Sequence, residues 1–101
     1  MSSVPLKHIC GPRAESFNGV YAGDLLSRAM SRVHADNLWI TIMNNTNVIA
    51  VASLTEAAAV ILAEDVEITP EAMQAAEENG ISVYSSSESV YNLCAAIARL
   101  A

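Results

Sequence analysis

Positive charge is scarce in this sequence and almost missing from its second half. Five basic residues stand against eleven acids, a net charge of −6. From Ala52 onward Arg99 is the sole base against eight acids. Residues 1–51 carry Lys7, Arg13, Arg28 and Arg32 against Glu15, Asp24 and Asp36. An acidic half repels phosphate backbones, so nucleic acid is not expected as a partner, and a solvated acidic surface is the plain reading. So few bases cannot furnish much phosphoryl-transfer machinery. The sequence also lacks a Gly-x-x-x-x-Gly-Lys-Ser/Thr loop to cradle a nucleoside triphosphate, and a Gly-x-Ser-x-Gly elbow.

Cysteine is equally sparse. Cys10 and Cys94 make no disulfide framework, and Met1–Arg13 lacks the apolar core of a secretory signal. The chain therefore reads as cytoplasmic. His8 and Cys10 are two candidate ligands where zinc wants three or four, so no metal or cofactor is expected. Cys94 falls on an apolar helix face and reads as a small core residue. His34 falls in a solvated turn. No catalytic residue is assigned. Long apolar runs are missing too. The best candidate, Met43–Asp65, falls short of the roughly 20 apolar residues of a span and has Glu56 near its middle. No membrane association is expected.

What is present suffices for one domain. The chain has 101 residues, of which 52% are hydrophobic, much of that alanine. Val20-Tyr21 is a short apolar stretch. Leu25, Leu26, Ala29, Met30 and Val33 share one helical face, with Asp24 as the expected N-cap and Arg28 as its i,i+4 partner. "HADN" is a turn, and "LWITIM" is rich in strand formers. "NNTN" is turn and cap chemistry, with Thr46 or Asn47 as the cap of a buried helix over Val48 to about Ala58. Val60–Leu62 reads as a buried strand and "AEDVE" as a polar loop. In "ITPEAMQAAEENGIS", Thr69 caps, Pro70 takes the first helical position, and Gly80 ends the helix in the left-handed region. Ile81–Tyr84 is a strand. "SSSES" caps a last helix with Val90, Leu93, Cys94, Ile97 and Ala101 on its buried face. Alternating strands and helices with short connections predict a single α/β domain with a largely parallel sheet and flanking helices. Residues 1–17 read as an N-terminal arm and 18–101 as the domain.

In open α/β sheets, ligands sit beyond the carboxyl ends of the strands, near helix N-termini. Three connections qualify: Ala22-Gly23-Asp24, Asn44-Asn45-Thr46-Asn47, and the serine loop from Ser85. The candidate ligand-binding residues are Asn44, Asn45, Thr46, Asn47, Ser85, Ser86 and Ser87, whose amides and hydroxyls suit a small anion. Ordinary capping accounts for the same residues. Asp24 and Glu88 oppose an anion, and no lysine is close in sequence.

The stretches "VYAGDLLSRAM", "LWITIMNNTNVIAVASLTEAAAVIL" and "EAMQAAEENGISVYSSSESVYNL" resemble the DRTGG-domain family over about Asn18–Leu100. The match is closest to its small stand-alone members, which look like the non-catalytic N-terminal domain of HPr kinase/phosphorylase. The resemblance implies an α/β fold of that type and a regulatory or ligand-sensing role, since such domains accompany CBS pairs or a phosphotransacetylase. Stand-alone relatives are often labelled "serine kinase", and some are encoded beside iron-hydrogenase components. The kinase label does not carry over, because the ATP site of that enzyme lies in a separate domain. The sequence departs from the family where Thr-Gly-Gly would follow the third strand. Ala63-Glu64-Asp65 stands there instead, with two acids in place of two glycines. The family's Asp-Arg pair has no counterpart in the Asn44–Asn47 loop, and its leading helix has none in the arm. The first expectation is a non-enzymatic interaction module, a homodimer with a redox-enzyme or signalling partner. The second is a sensor of a nucleotide or phosphorylated metabolite. An enzyme is the third and weakest.

Overall fold

The computed structural model describes residues 4–99. Ala101, placed on the last helix by the sequence, lies outside them. The elements run β1 (Lys7–Cys10), β2 (Val20–Ala22), α1 (Leu26–Arg32), β3 (Leu38–Thr41), α2 (Thr46–Thr55), β4 (Ala59–Leu62), α3 (Pro70–Asn79), β5 (Val83–Ser85) and α4 (Val90–Ala98). One five-stranded sheet has the order β1-β5-β4-β3-β2. Strands β2 to β5 are parallel neighbours in chain order, and β1 is antiparallel to β5. The α/β fold with a largely parallel sheet is as the sequence predicts.

The three crossovers step the same way along the sheet, and crossovers of one hand place α1, α2 and α3 on one face. There Ala29, Val48, Ile49, Ala52, Ala72 and Ala76 pack on Trp39, Val60, Leu62 and Val83. On the opposite face Leu93 and Ile97 of α4, with Val4, cover Leu38, Ile40, Ile61 and Tyr84. Strands β3 and β4 are buried at every residue, as parallel strands covered on both faces must be. Trp39 is fully buried, and its indole N–H donates to the Gly23 carbonyl at 3.0 Å.

Four local expectations are corrected. Asp24 does not cap α1. Its Oδ1 instead accepts from Thr41 Oγ1 at 2.8 Å and from the Ile42 amide at 3.0 Å. A fully buried hydroxyl and an amide just past the end of β3 both need an acceptor, and they claim the carboxylate. The helix that is left spans seven residues with no side-chain cap. Leu25 and Met30, read as core, are 62% and 52% exposed, because α1 is short and closes one end of the helix layer. Asn45, not Thr46 or Asn47, caps α2 by accepting from the amides of Asn47 and Val48. That helix stops at Thr55 because Glu56 takes a left-handed conformation, φ 59°. Gly80 does the same for α3 at φ 65°, behind the predicted Thr69 cap and Pro70 start.

The arm contributes a strand that composition does not reveal. Lys7 pairs with Ser85 and His8 with Tyr84, and a bulge at Ile9 lets Cys10 pair with Val83. Gly11 at φ 74° then turns the chain. A Cβ there would lie 1.9 Å from the Ile81 carbonyl oxygen, so only glycine permits the approach. Beyond it the chain is pinned by Ser82 Oγ donating to the Pro12 carbonyl and by the Ala14 amide donating to the Tyr84 hydroxyl. No helix among the described residues is long and apolar enough to cross a membrane.

Candidate functional site

The carboxyl ends of four parallel strands set one rim of the molecule. Because winding from β2 to β5 never reverses, that rim has no crevice between diverging crossovers. The loop between β4 and α3 lies across its middle and separates the two candidate loops. Asn44 turns toward this loop, its Nδ2 donating to the Glu67 carbonyl at 2.6 Å and its carbonyl accepting from the Thr69 amide at 3.2 Å. Asn45 is engaged as the α2 cap, while Thr46 and Asn47 are exposed. The gap beneath Asn44 and Asn45 does not admit a water.

The serine loop opens elsewhere. Ser86 is buried, its amide bonded to Leu62 O and its Oγ accepting from the Glu88 amide at 3.0 Å. Ser85, Ser86 and Ser87 line an open hollow of about 530 Å³ with Lys7 and Asp65. Lys7, Asp65, Glu67 and Ser85 also border a second hollow of about 460 Å³ whose apolar wall is Ile9, Val66, Ile68 and Met73. The asparagine loop and the serine loop therefore line different hollows. Lys7, the single lysine of the chain, is the residue that sequence reading missed. It is 78 positions from Ser85, and antiparallel pairing of β1 with β5 sets the two opposite each other. No local pattern encodes such a pairing.

The turn between these loops carries the most unusual backbone. Glu64 and Asp65 have φ of 60° and 59°, and the Val66 amide donates to the Ala63 carbonyl at 3.2 Å. Two left-handed central residues closed by an i to i+3 bond are the pattern of a type I′ turn, which favours glycine. The Glu64 amide donates to Glu88 O and the Asp65 amide to Ser86 O, both at 2.9 Å. The turn thus sits on the serine loop, with its amides committed to protein carbonyls.

His8 and Cys10 do not form a pair. The Ile9 bulge sends Cys10 into the three-helix core, while His8 packs edge-on against Tyr84, ring centroids 5.3 Å apart, with Nε2 at 2.8 Å from the Gly11 carbonyl. Burial, and then the nearby Glu77 carboxylate, push the Cys10 thiol up. Burial pushes the Cys94 thiol up as well. Neither is poised as a thiolate nucleophile. Among the described residues no three His, Cys, Asp or Glu side chains converge as a metal site.

The sequence model of the DRTGG domain matches residues 12–100. The chain belongs to the DRTGG-domain family. A similar solved structure is described as the CBS and DRTGG domains of the regulatory region of Clostridium perfringens pyrophosphatase, complexed with its activator, diadenosine tetraphosphate. That likeness has a TM-score of 0.67 at 13% identity and covers 77% of this chain and 34% of the other. The chain thus spans about a third of that neighbour, and the match concerns the fold. No curated protein sequence matches. In this DRTGG domain, Glu64 and Asp65 keep a glycine-type backbone while presenting two carboxylates.

Proposed function

We propose that this DRTGG domain is a non-catalytic regulatory module of the cytoplasm. It acts by docking, on a second copy of itself and on a protein of a redox or signalling system. The observation that carries the reading is the Ala63–Val66 turn. An anion approaching it would meet two carboxylates, and the Glu64 and Asp65 amides are already bonded to Glu88 and Ser86. Asn44, Asn45 and Ser86 are likewise spent on internal bonds, which favours shape over chemistry as what this rim offers. The resemblance to the N-terminal domain of HPr kinase/phosphorylase, itself non-catalytic, belongs to the same proposal. Incubating the full chain with ATP and serine-containing acceptors should give no phosphate release or transfer above buffer. A rate that Lys7→Ala removes would overturn the reading.

The hollows around Lys7 favour a second reading, the sensing of a small anionic ligand. One ammonium and the serine hydroxyls lie beside an apolar wall. The Clostridium perfringens neighbour is complexed with a dinucleotide. With Asp65 bordering both hollows and Glu67 one of them, the set suits one phosphate or carboxylate group better than a chain of phosphates. A ligand held at a hundred times its Kd stabilises the fold by about 2.7 kcal/mol. In a domain of this size that raises Tm by roughly 10–20 °C. A thermal-shift series of nucleotides, dinucleotides and phosphorylated metabolites checks this. Any shift should vanish in Lys7→Glu, and a series without shifts removes the reading.

A further inference from the structure

We propose that the outer face of the α1–α2–α3 layer is the surface on which two copies of this chain pair, about a two-fold axis running along α2. The proposal rests on the docking reading above and gives it a place and a geometry.

Charge is sorted by helix across this face. Within its bounds α1 carries Arg28 and Arg32 and no acid. The central helix, α2, is TNVIAVASLT and carries no charge before its exposed C-cap, Glu56. On the far side α3 carries Glu71, Glu77 and Glu78 and no base. All three are exposed, and Glu77 accepts from the Gly11 amide at 2.7 Å, which leaves Glu71 and Glu78 for an approaching partner. The layer is thus a cationic helix, a neutral one and an anionic one, side by side.

The neutral strip is where apolar surface is left bare. Leu54 of α2 is 67% exposed and Met30 of α1 is 52% exposed. Between α2 and α3 runs an open hollow of about 570 Å³, bordered by Leu54 with Asn47, Ala50, Ser53 and Ala75. Small residues on both sides let another backbone come close.

A two-fold interface must be complementary to itself. An axis along α2 lays α1 of each copy over α3 of the other, so arginines face glutamates twice. It also brings the two α2 helices together, with their Leu54 side chains meeting on the axis near the helix C-termini. An axis across the helices would lay α1 on α1 and α3 on α3, setting like charges together. The charge order therefore selects one orientation and penalises the other. Size points the same way. The molecule measures 31 × 25 × 23 Å, so only a whole face approaches the roughly 800 Å² per partner of a standard interface. An occupant confined to the hollow would fall far short.

The test is the mass of the full chain in solution at moderate salt, by sedimentation equilibrium. Twice the 10.7 kDa of one chain is expected. Leu54→Glu should give a monomer with an unchanged circular dichroism spectrum, because the side chain is exposed. Arg32→Glu and Glu78→Arg should each weaken pairing by about tenfold or more, as like charges facing across an interface do. The double charge swap should restore it to within a few-fold of the native chain. A native monomer at high concentration, a dimer that Leu54→Glu leaves intact, or a double swap no tighter than its parents would each overturn the proposal. A native monomer would also remove self-docking from the reading above, whereas the non-catalytic part of that reading falls only to phosphate transfer that depends on Lys7.

Discussion

Glu64 and Asp65 hold left-handed backbone of the kind that favours glycine. A left-handed conformation costs an L-residue roughly 1–2 kcal/mol, and glycine's added unfolded-state entropy returns part of that. Glu64→Gly is therefore expected to stabilise the fold by roughly 0.5–1 kcal/mol, seen as a higher urea midpoint followed by Trp39 fluorescence. Asp65→Gly should gain less, since aspartate visits this region more readily. The cysteines give a pH signature. A thiol pushed up in the folded state keeps its proton longer than in the unfolded chain. Its contribution is whole below the unfolded value near 8.5 and is lost as pH rises through the folded one. Thermal unfolding between pH 7 and 10 should show stability falling, with a shallower fall in Cys10→Val. The His8 and Cys10 residues also show how spacing misleads, because one inserted residue in β1 sends i and i+2 to opposite faces.

Helix ends repeat the lesson at the scale of elements. The amide of Glu56 donates to the Ala52 and Ser53 carbonyls, and that of Gly80 to Ala76 and Glu77, so α2 and α3 close in the same left-handed way. Only α3 uses the residue suited to it. Glu56→Gly should stabilise by roughly 0.5–1 kcal/mol, whereas Gly80→Ala should cost about 1 kcal/mol, with open space around the new methyl. Paired thermal melts of the two variants check the opposite signs. Both ends of α3 were legible, because Thr69 and Pro70 declare its start and Gly80 its stop. The end of α2 was not, because a glutamate in a left-handed cap carries no mark in the sequence. The start of α1 misled for another reason. Asp24 is a good cap by composition, but Thr41 and Ile42, 17 and 18 residues away, compete for the same oxygen.

On the scale of the whole molecule, β1 closes the sheet beside β5 and delivers Lys7 to the rim. Removing residues 1–10 would uncover one edge of β5 and strip Val4 and Cys10, both buried, from opposite faces. Each lost side chain is worth about 1.5–3 kcal/mol. The truncated chain is expected to melt more than about 10 °C lower by calorimetry, and to aggregate through the bared strand edge. Gly11→Ala should approach the same loss, since the Ile81 carbonyl occupies the space its methyl needs. A truncated chain with unchanged Tm would mean that the arm adds nothing to the fold.

The sequence by itself determined the α/β class, the order of strands and helices from Val20 onward, and the loops at the strand ends. Those follow from hydrophobic period, β-branched runs and capping residues, which act over a few neighbours. Tertiary structure alone decided which of those loops meet. Pairing of β1 with β5 put Lys7 against the serines, and the β4–α3 loop kept the asparagines apart from them. It also decided that the three helices form one layer with charge graded across it. Each of these depends on contacts between residues tens of positions apart, which packing fixes and no short stretch of sequence records.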